Sequence, residues 1–120
     1  MDELRAQQIE ALQMAKPYCE KIATALERII GEYTQEKLPD TEEYLTHILN
    51  GLNWIFEVYN GTCSLINEGS IVVDKDDVNE SVIAFNKANE ASDDIAKAEA
   101  LKGILEFVKT FAQAAEAFTE

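Results

Sequence analysis

At 120 residues, 47% of them hydrophobic and 28% charged, the chain is sized for one globular domain spanning 1–120, with a core that needs no metal or disulfide staple. Twenty-three acidic against ten basic residues give a net charge of −13, shared almost evenly by the two halves of the chain. Only Arg5, Arg28 and scattered lysines stand against that acidity, which excludes the clustered basic surface that nucleic-acid phosphates or an anionic membrane require.

The opening Met1-Asp2-Glu3-Leu4-Arg5 is charged and carries no apolar signal core. The best candidate for a membrane span, 44–66, contains His47, Asn50, Asn53, Glu57 and Asn60, which lipid tolerates poorly. The chain is therefore expected to be soluble and cytoplasmic. Two cysteines make no disulfide framework. The patterns Asn60-Gly61-Thr62 and Asn79-Glu80-Ser81 are read as chance glycosylation matches, because the expected compartment does not suit them.

The first predicted helix runs from about Asp2 to about Glu36. Leu12, Ala15, Cys19, Ile22, Leu26, Ile29 and Tyr33 recur at alternating spacings of three and four, which is one helical seam. Pro17 interrupts the donor ladder but not the apolar phase, so a kink near Pro17 is expected, with a break at Lys16 as the alternative. Leu38-Pro39-Asp40 is a turn, and Asp40 or Thr41 can cap the next helix, with Glu43 completing a capping-box-like pattern.

The second predicted helix runs from about Thr41 to about Glu68 and stops at Gly69. Its seam of Leu45, Ile48, Leu52, Ile55, Tyr59 and Ile66 never loses phase, so the turn signals Asn50-Gly51 and Asn60-Gly61 are overruled. Gly51 and Gly61 are then expected where a neighbouring helix comes close. Ser70–Val73 is a short connection. A third helix follows, from Asp74-Lys75-Asp76-Asp77 to about Ala91, with Val78, Val82, Ile83, Phe85 and Ala88 facing in. Ser92-Asp93-Asp94 opens a fourth, from about Asp93 to about Phe118. Its buried positions are Leu101, Ile104, Leu105, Val108, Phe111, Ala112, Ala115 and Phe118. One rod over 76–118 is the competing reading, but the apolar face rotates between Phe85 and Leu101. The expected fold is an all-α, compact antiparallel four-helix bundle with helix 2 central.

Helix 2 is the informative segment. Glu57 is its sole acid or base between Tyr44 and Ile66, setting His47 aside, and a helix apolar nearly all round is usually buried. A bundle helix needs about three apolar columns of seven, and this one has more. The stripe Gly51, Trp54, Val58, Gly61 and Leu65 lies beside the main seam. Either a kinked helix 1 covers it, or another subunit or a partner helix does, with a ligand groove as the remaining alternative. A neighbouring column, Thr46, Asn53, Asn60 and Asn67, is polar but uncharged. It is read as a seam whose amides satisfy one another or water, with a polar ligand as the lesser alternative.

Catalytic and metal chemistry finds no support. His47 is the single histidine, so a di-iron pair of Glu-x-x-His motifs is ruled out. On one helix Cys63 lies about 24 Å from His47, which removes a dyad and a shared zinc site. Cys19 and Cys63 fall at different levels of an α1–α2 hairpin and are not expected to bridge. Asp74-x-Asp76-Asp77 opens like a calcium loop but has Asn79 and Phe85 where glycine and glutamate are needed. No catalytic residue, cofactor or metal is assigned. The expected role is a non-enzymatic protein–protein interaction module, forming a homodimer through the Trp54 side of helix 2. The alternative is a chaperone or adaptor that holds an amphipathic helix of a client protein.

Overall fold

The seams read from the sequence close into four helices in a computed structural model, which describes residues 2–67 and 75–117. The elements are α1 (Asp2–Thr34), α2 (Thr41–Ile66), α3 (Lys75–Glu90) and α4 (Asp94–Glu116). Every member of the α1 seam, from Leu12 to Tyr33, is buried. Pro17 lies inside α1 and does not split it at Lys16. Leu12 and Ala15 before the proline and Cys19 and Ile22 after it belong to the same buried row, and burying that row offsets the one backbone donor lost.

Both Asn-Gly pairs likewise sit within an unbroken α2, whose Leu45, Ile48, Leu52, Ile55 and Tyr59 are all buried. Its last turn closes when the Asn67 N–H donates to the Cys63 carbonyl. The expected stop at Gly69, the connection Ser70–Val73 and the burial of Phe118 all fall outside the described residues. So does Asp74, the first acid of the calcium-like run.

The two described junctions are built differently. At the start of α2, Asp40 holds the cap position but makes no side-chain cap bond. Thr41 turns inward instead: its hydroxyl accepts from the Leu38 N–H at 2.7 Å and donates to Glu32 Oε1 at 2.7 Å. Between α3 and α4, Ser92 adopts φ 54°, the left-handed region. The Asp93 N–H returns to the Ala88 carbonyl and the Ser92 N–H to that of Asn89, which is a Schellman closure. Asp93 then caps α4 by accepting from the Ala96 N–H at 3.1 Å. This turn is what prevents a single rod over 76–118.

α1 runs antiparallel to α2, as the pairs Gln8–Gly61, Tyr18–Trp54 and Tyr33–Glu42 show. It is antiparallel to α4 as well, with Tyr33 beside Lys97 and Glu27 beside Lys109. The α1 and α4 backbones make the most extensive pairing, and α3 packs on α4. α2 reaches α4 through aromatic side chains: Phe56 on Phe107 at 5.4 Å, and Tyr59 edge-on to Phe107 at 5.2 Å and to Phe111 at 5.7 Å. Its side chains thus meet α1 on one flank and α4 inside, and they face α3 across a cleft. The bundle measures 49 × 24 × 17 Å, with a radius of gyration of 15.1 Å against about 13.6 Å for a sphere-like chain of this length. That elongation follows from α1, whose 33 residues outreach every partner helix.

Candidate interaction face on α1 and α2

The outer flank of α2 meets the first half of α1. Tyr18 sets its ring edge against Trp54, with centroids 5.1 Å apart and planes at 83°. Two turns further along α2, Gln8 Nε2 donates to the Gly61 carbonyl at 3.0 Å. Between these two ties runs an open groove of about 300 Å³, lined by Leu4, Gln8, Ala11, Trp54, Val58 and Gly61 among others. Trp54 and Val58 are half-buried, so α1 covers the expected stripe only in part. Leu4, at 64% exposure, stands on the groove wall, and Met14, at 60%, lies on the adjoining surface of α1.

The stripe does not stay together. Trp54, Val58 and Gly61 line the groove, while Leu65 is buried among core residues. Gly51 is buried, and a Cβ there would fall 2.6 Å from Tyr18 Oη and 2.7 Å from Ile22 Cδ1, so it is the expected point of close approach. Gly61 is not: a Cβ there would meet nothing within 4 Å. The reason is geometric. α1 grips α2 at the level of Tyr18 and Ile22, and by Gly61 only the long Gln8 side chain still reaches across. The close approach that the sequence analysis missed is Gly103 of α4, which lies against Ser81 of α3.

Leu4, Ala11 and Met14 also escaped the sequence analysis. With Gln7 and Tyr18 they recur at spacings of three and four, one step off the core seam, so a second seam on α1 was there to be found. The groove itself carries little charge: of its described lining residues Glu57 alone is charged, in a chain of net charge −13, while Lys16 pairs with Glu20 at 2.8 Å.

The opposite end of α1 carries a polar cluster with no counterpart in the sequence analysis. Glu32, buried in the bundle, accepts from Thr41 and from Arg28 Nε at 2.9 Å. Beside it, Tyr33 donates to Glu42 Oε2 at 2.8 Å, and Glu42 also pairs with Lys37 at 3.1 Å. Lys97 is buried with its Nζ 3.7 Å from Glu42 and 5.3 Å from the Tyr33 ring centre. Burial opposes ionisation of Glu42, but the bonds from Tyr33 and Lys37 and the charge of Lys97 outweigh it and hold the carboxyl below its ordinary value. Burial, reinforced by the bond to Glu42, pushes the Tyr33 phenol up. These charges are engaged with one another, which makes the cluster a clasp between α1, α2 and α4.

Cys19 is fully buried, and burial with the nearby Glu20 charge pushes its thiol up to about 12, so it is a packing residue with little thiolate at neutral pH. Cys63 is half-buried, outside any disulfide, with its thiol donating to the Asn60 carbonyl at 3.6 Å, and His47 is exposed on α2. Among the described residues no three His, Cys, Asp or Glu side chains converge, and no helix is long and apolar enough to cross a membrane.

Residues 10–118 match the family described as Domain of unknown function (DUF8042). No curated protein and no solved structure matches the chain.

Proposed function

The chain belongs to the DUF8042 family, and from its own geometry we propose that it is a non-enzymatic interaction module that self-associates through the groove between α1 and α2. The observation that carries this reading is the coincidence of exposed apolar side chains with a groove lining in which Glu57 is the one charged residue described. Two copies meeting elsewhere bring acidic surface against acidic surface. Meeting here, they bring Trp54, Val58, Leu4 and Met14 of both copies together, with Glu57 of each as the described lining charge. Interfaces draw on aromatic and methionine side chains for this purpose. Gly51 and Leu65 support the face from inside, and Gly61 opens its floor.

An amphipathic helix from a client is the second reading, favoured by the two-helix walls of the groove, which suit helix-in-groove binding. Trp54 is the single tryptophan, so its fluorescence separates the two. Self-association shifts the emission to the red as the protein is diluted, while helical circular dichroism stays constant. Emission that does not change with concentration, in a monomer that enhances the fluorescence of an apolar dye, supports the client reading instead.

A further inference from the structure

A second concavity lies on the other flank of α2. The α2 and α3 backbones do not approach each other, and between them opens a cleft of about 260 Å³. Its deep part is aromatic and aliphatic, with Phe56, Tyr59 and Val82. Tyr59 is buried, whereas Phe56 rests against Phe107 and is half open to the cleft. The rim consists of Asn53 and Asn60 from α2 and Asn79 from α3. In a chain that is 28% charged, none of the described residues lining this cleft carries a formal charge.

The Asn53 and Asn60 carboxamides were expected to satisfy one another or water, and Asn79 had no assigned role. Among the described residues none of the three has a side-chain hydrogen-bond partner, and all three are exposed at the rim. Asn53 and Asn60, seven residues apart on α2, lie two turns apart on one face, with Asn79 opposite them. Each carboxamide offers a paired donor and acceptor in one plane. An apolar floor with a few convergent polar groups is the usual make-up of a small-molecule site, and this volume lies just below the range of drug-sized sites, which suits a single small ring.

We propose that the α2–α3 cleft binds a small, flat, uncharged ring compound carrying an amide or lactam edge, its ring against Phe56 and its amide edge paired with the rim carboxamides. The floor selects a ring, because Phe56 presents apolar surface and no charge. The rim selects an amide edge, because a carboxamide pairs with another amide through two parallel bonds. No cation stands among the described lining residues, and the protein is acidic, so the site disfavours anions. This site shares no residue with the α1–α2 groove, so it stands or falls separately from self-association.

The test is nuclear magnetic resonance of the whole isotope-labelled chain, titrated with nicotinamide, uracil or 2-pyridone, and with nicotinate as the charged control. At least one neutral ring should shift the side-chain amide signals of Asn53, Asn60 and Asn79 at millimolar concentration, while nicotinate leaves them in place. Asn60→Leu should weaken that binding roughly three- to tenfold. Val82→Trp, which fills the cleft, should abolish it with the remaining backbone signals unmoved. The proposal is overturned if none of the three neutral rings shifts those amides. It is equally overturned if nicotinate shifts them as strongly, or if both variants bind like the parent.

Discussion

Thr41 Oγ1 donates a 2.7 Å hydrogen bond to Glu32 Oε1 in a place where Thr41 is 0% and Glu32 8% exposed. The same hydroxyl accepts from the Leu38 N–H, so one side chain ties the end of α1, the turn and the start of α2 together. Thr41→Val keeps the shape and removes both bonds. A buried carboxylate is left with Arg28 alone, and unfolding in urea should show a loss of about 1–3 kcal/mol. An unchanged midpoint would mean that water replaces the hydroxyl at no cost.

Gly51 and Gly61 make a matched pair on one helix. Alanine is the better helix former at both by about 0.5–1 kcal/mol. At Gly61 a Cβ meets nothing within 4 Å, so Gly61→Ala should raise the stability of the isolated chain by about that amount. At Gly51 the Cβ collides with Tyr18 and Ile22, so Gly51→Ala should lower it by about 1–3 kcal/mol. Because Tyr18 must move off Trp54, the fluorescence of Gly51→Ala should change too. Thermal melts of the two variants, side by side, check the opposite signs.

Ser92 occupies a left-handed position at φ 54°, where a side chain costs about 1–2 kcal/mol relative to glycine. The turn persists because the returns to Ala88 and Asn89 and the Asp93 cap all depend on it. Ser92→Gly should therefore raise the melting temperature, whereas Ser92→Val should lower it. Equal melting temperatures for all three would show the backbone angle to be uncritical.

The clasp of Tyr33, Glu42, Lys37 and Lys97 predicts a pH dependence with a definite sign. Glu42 ionises below its ordinary 4.5 in the folded chain, so the folded state binds its proton less tightly than the unfolded one. The stability it contributes is complete above about pH 4.5 and is lost as the pH falls through the lowered value. Tyr33, raised above its ordinary 10.0, erodes stability in the alkaline direction from about that pH upward. Urea midpoints should fall on acidification below pH 4.5, and Glu42→Gln should flatten that limb. The same slope in the variant would assign it to other carboxylates.

The backbone of the fold was legible because periodicity reports directly on burial. The α1 seam, the passage of α2 through Asn50-Gly51 and Asn60-Gly61, and the Asp93 cap all follow from the apolar phase and helix-end chemistry. One position expected to face in does not: Ile83 of α3 is 54% exposed, and the buried row runs through Val78, Phe85 and Ala88. What otherwise stayed hidden was pairwise. Thr41 reads as a cap because a hydroxyl at a helix start usually is one, and only the position of Glu32 turns it inward. Gly61 reads like Gly51, and only the reach of α1 tells them apart. The outward Leu4, Ala11 and Met14 row was obscured because it adjoins the core seam at the same spacing. Of the interaction stripe, Trp54 and Val58 could be placed from sequence, but not the burial of Leu65, which depends on how the far end of α2 packs.

The most direct test of the α1–α2 face is sedimentation velocity on the parent chain and on Gly61→Glu. The substitution adds a charge at the groove where nothing in the same chain lies within 4 Å of the new Cβ, so the monomer fold has room for it. The account predicts a dimer for the parent, increasingly populated with concentration, and a monomer of unchanged helicity for the variant. A parent that stays monomeric at all concentrations, or a dimer that survives Gly61→Glu intact, contradicts it.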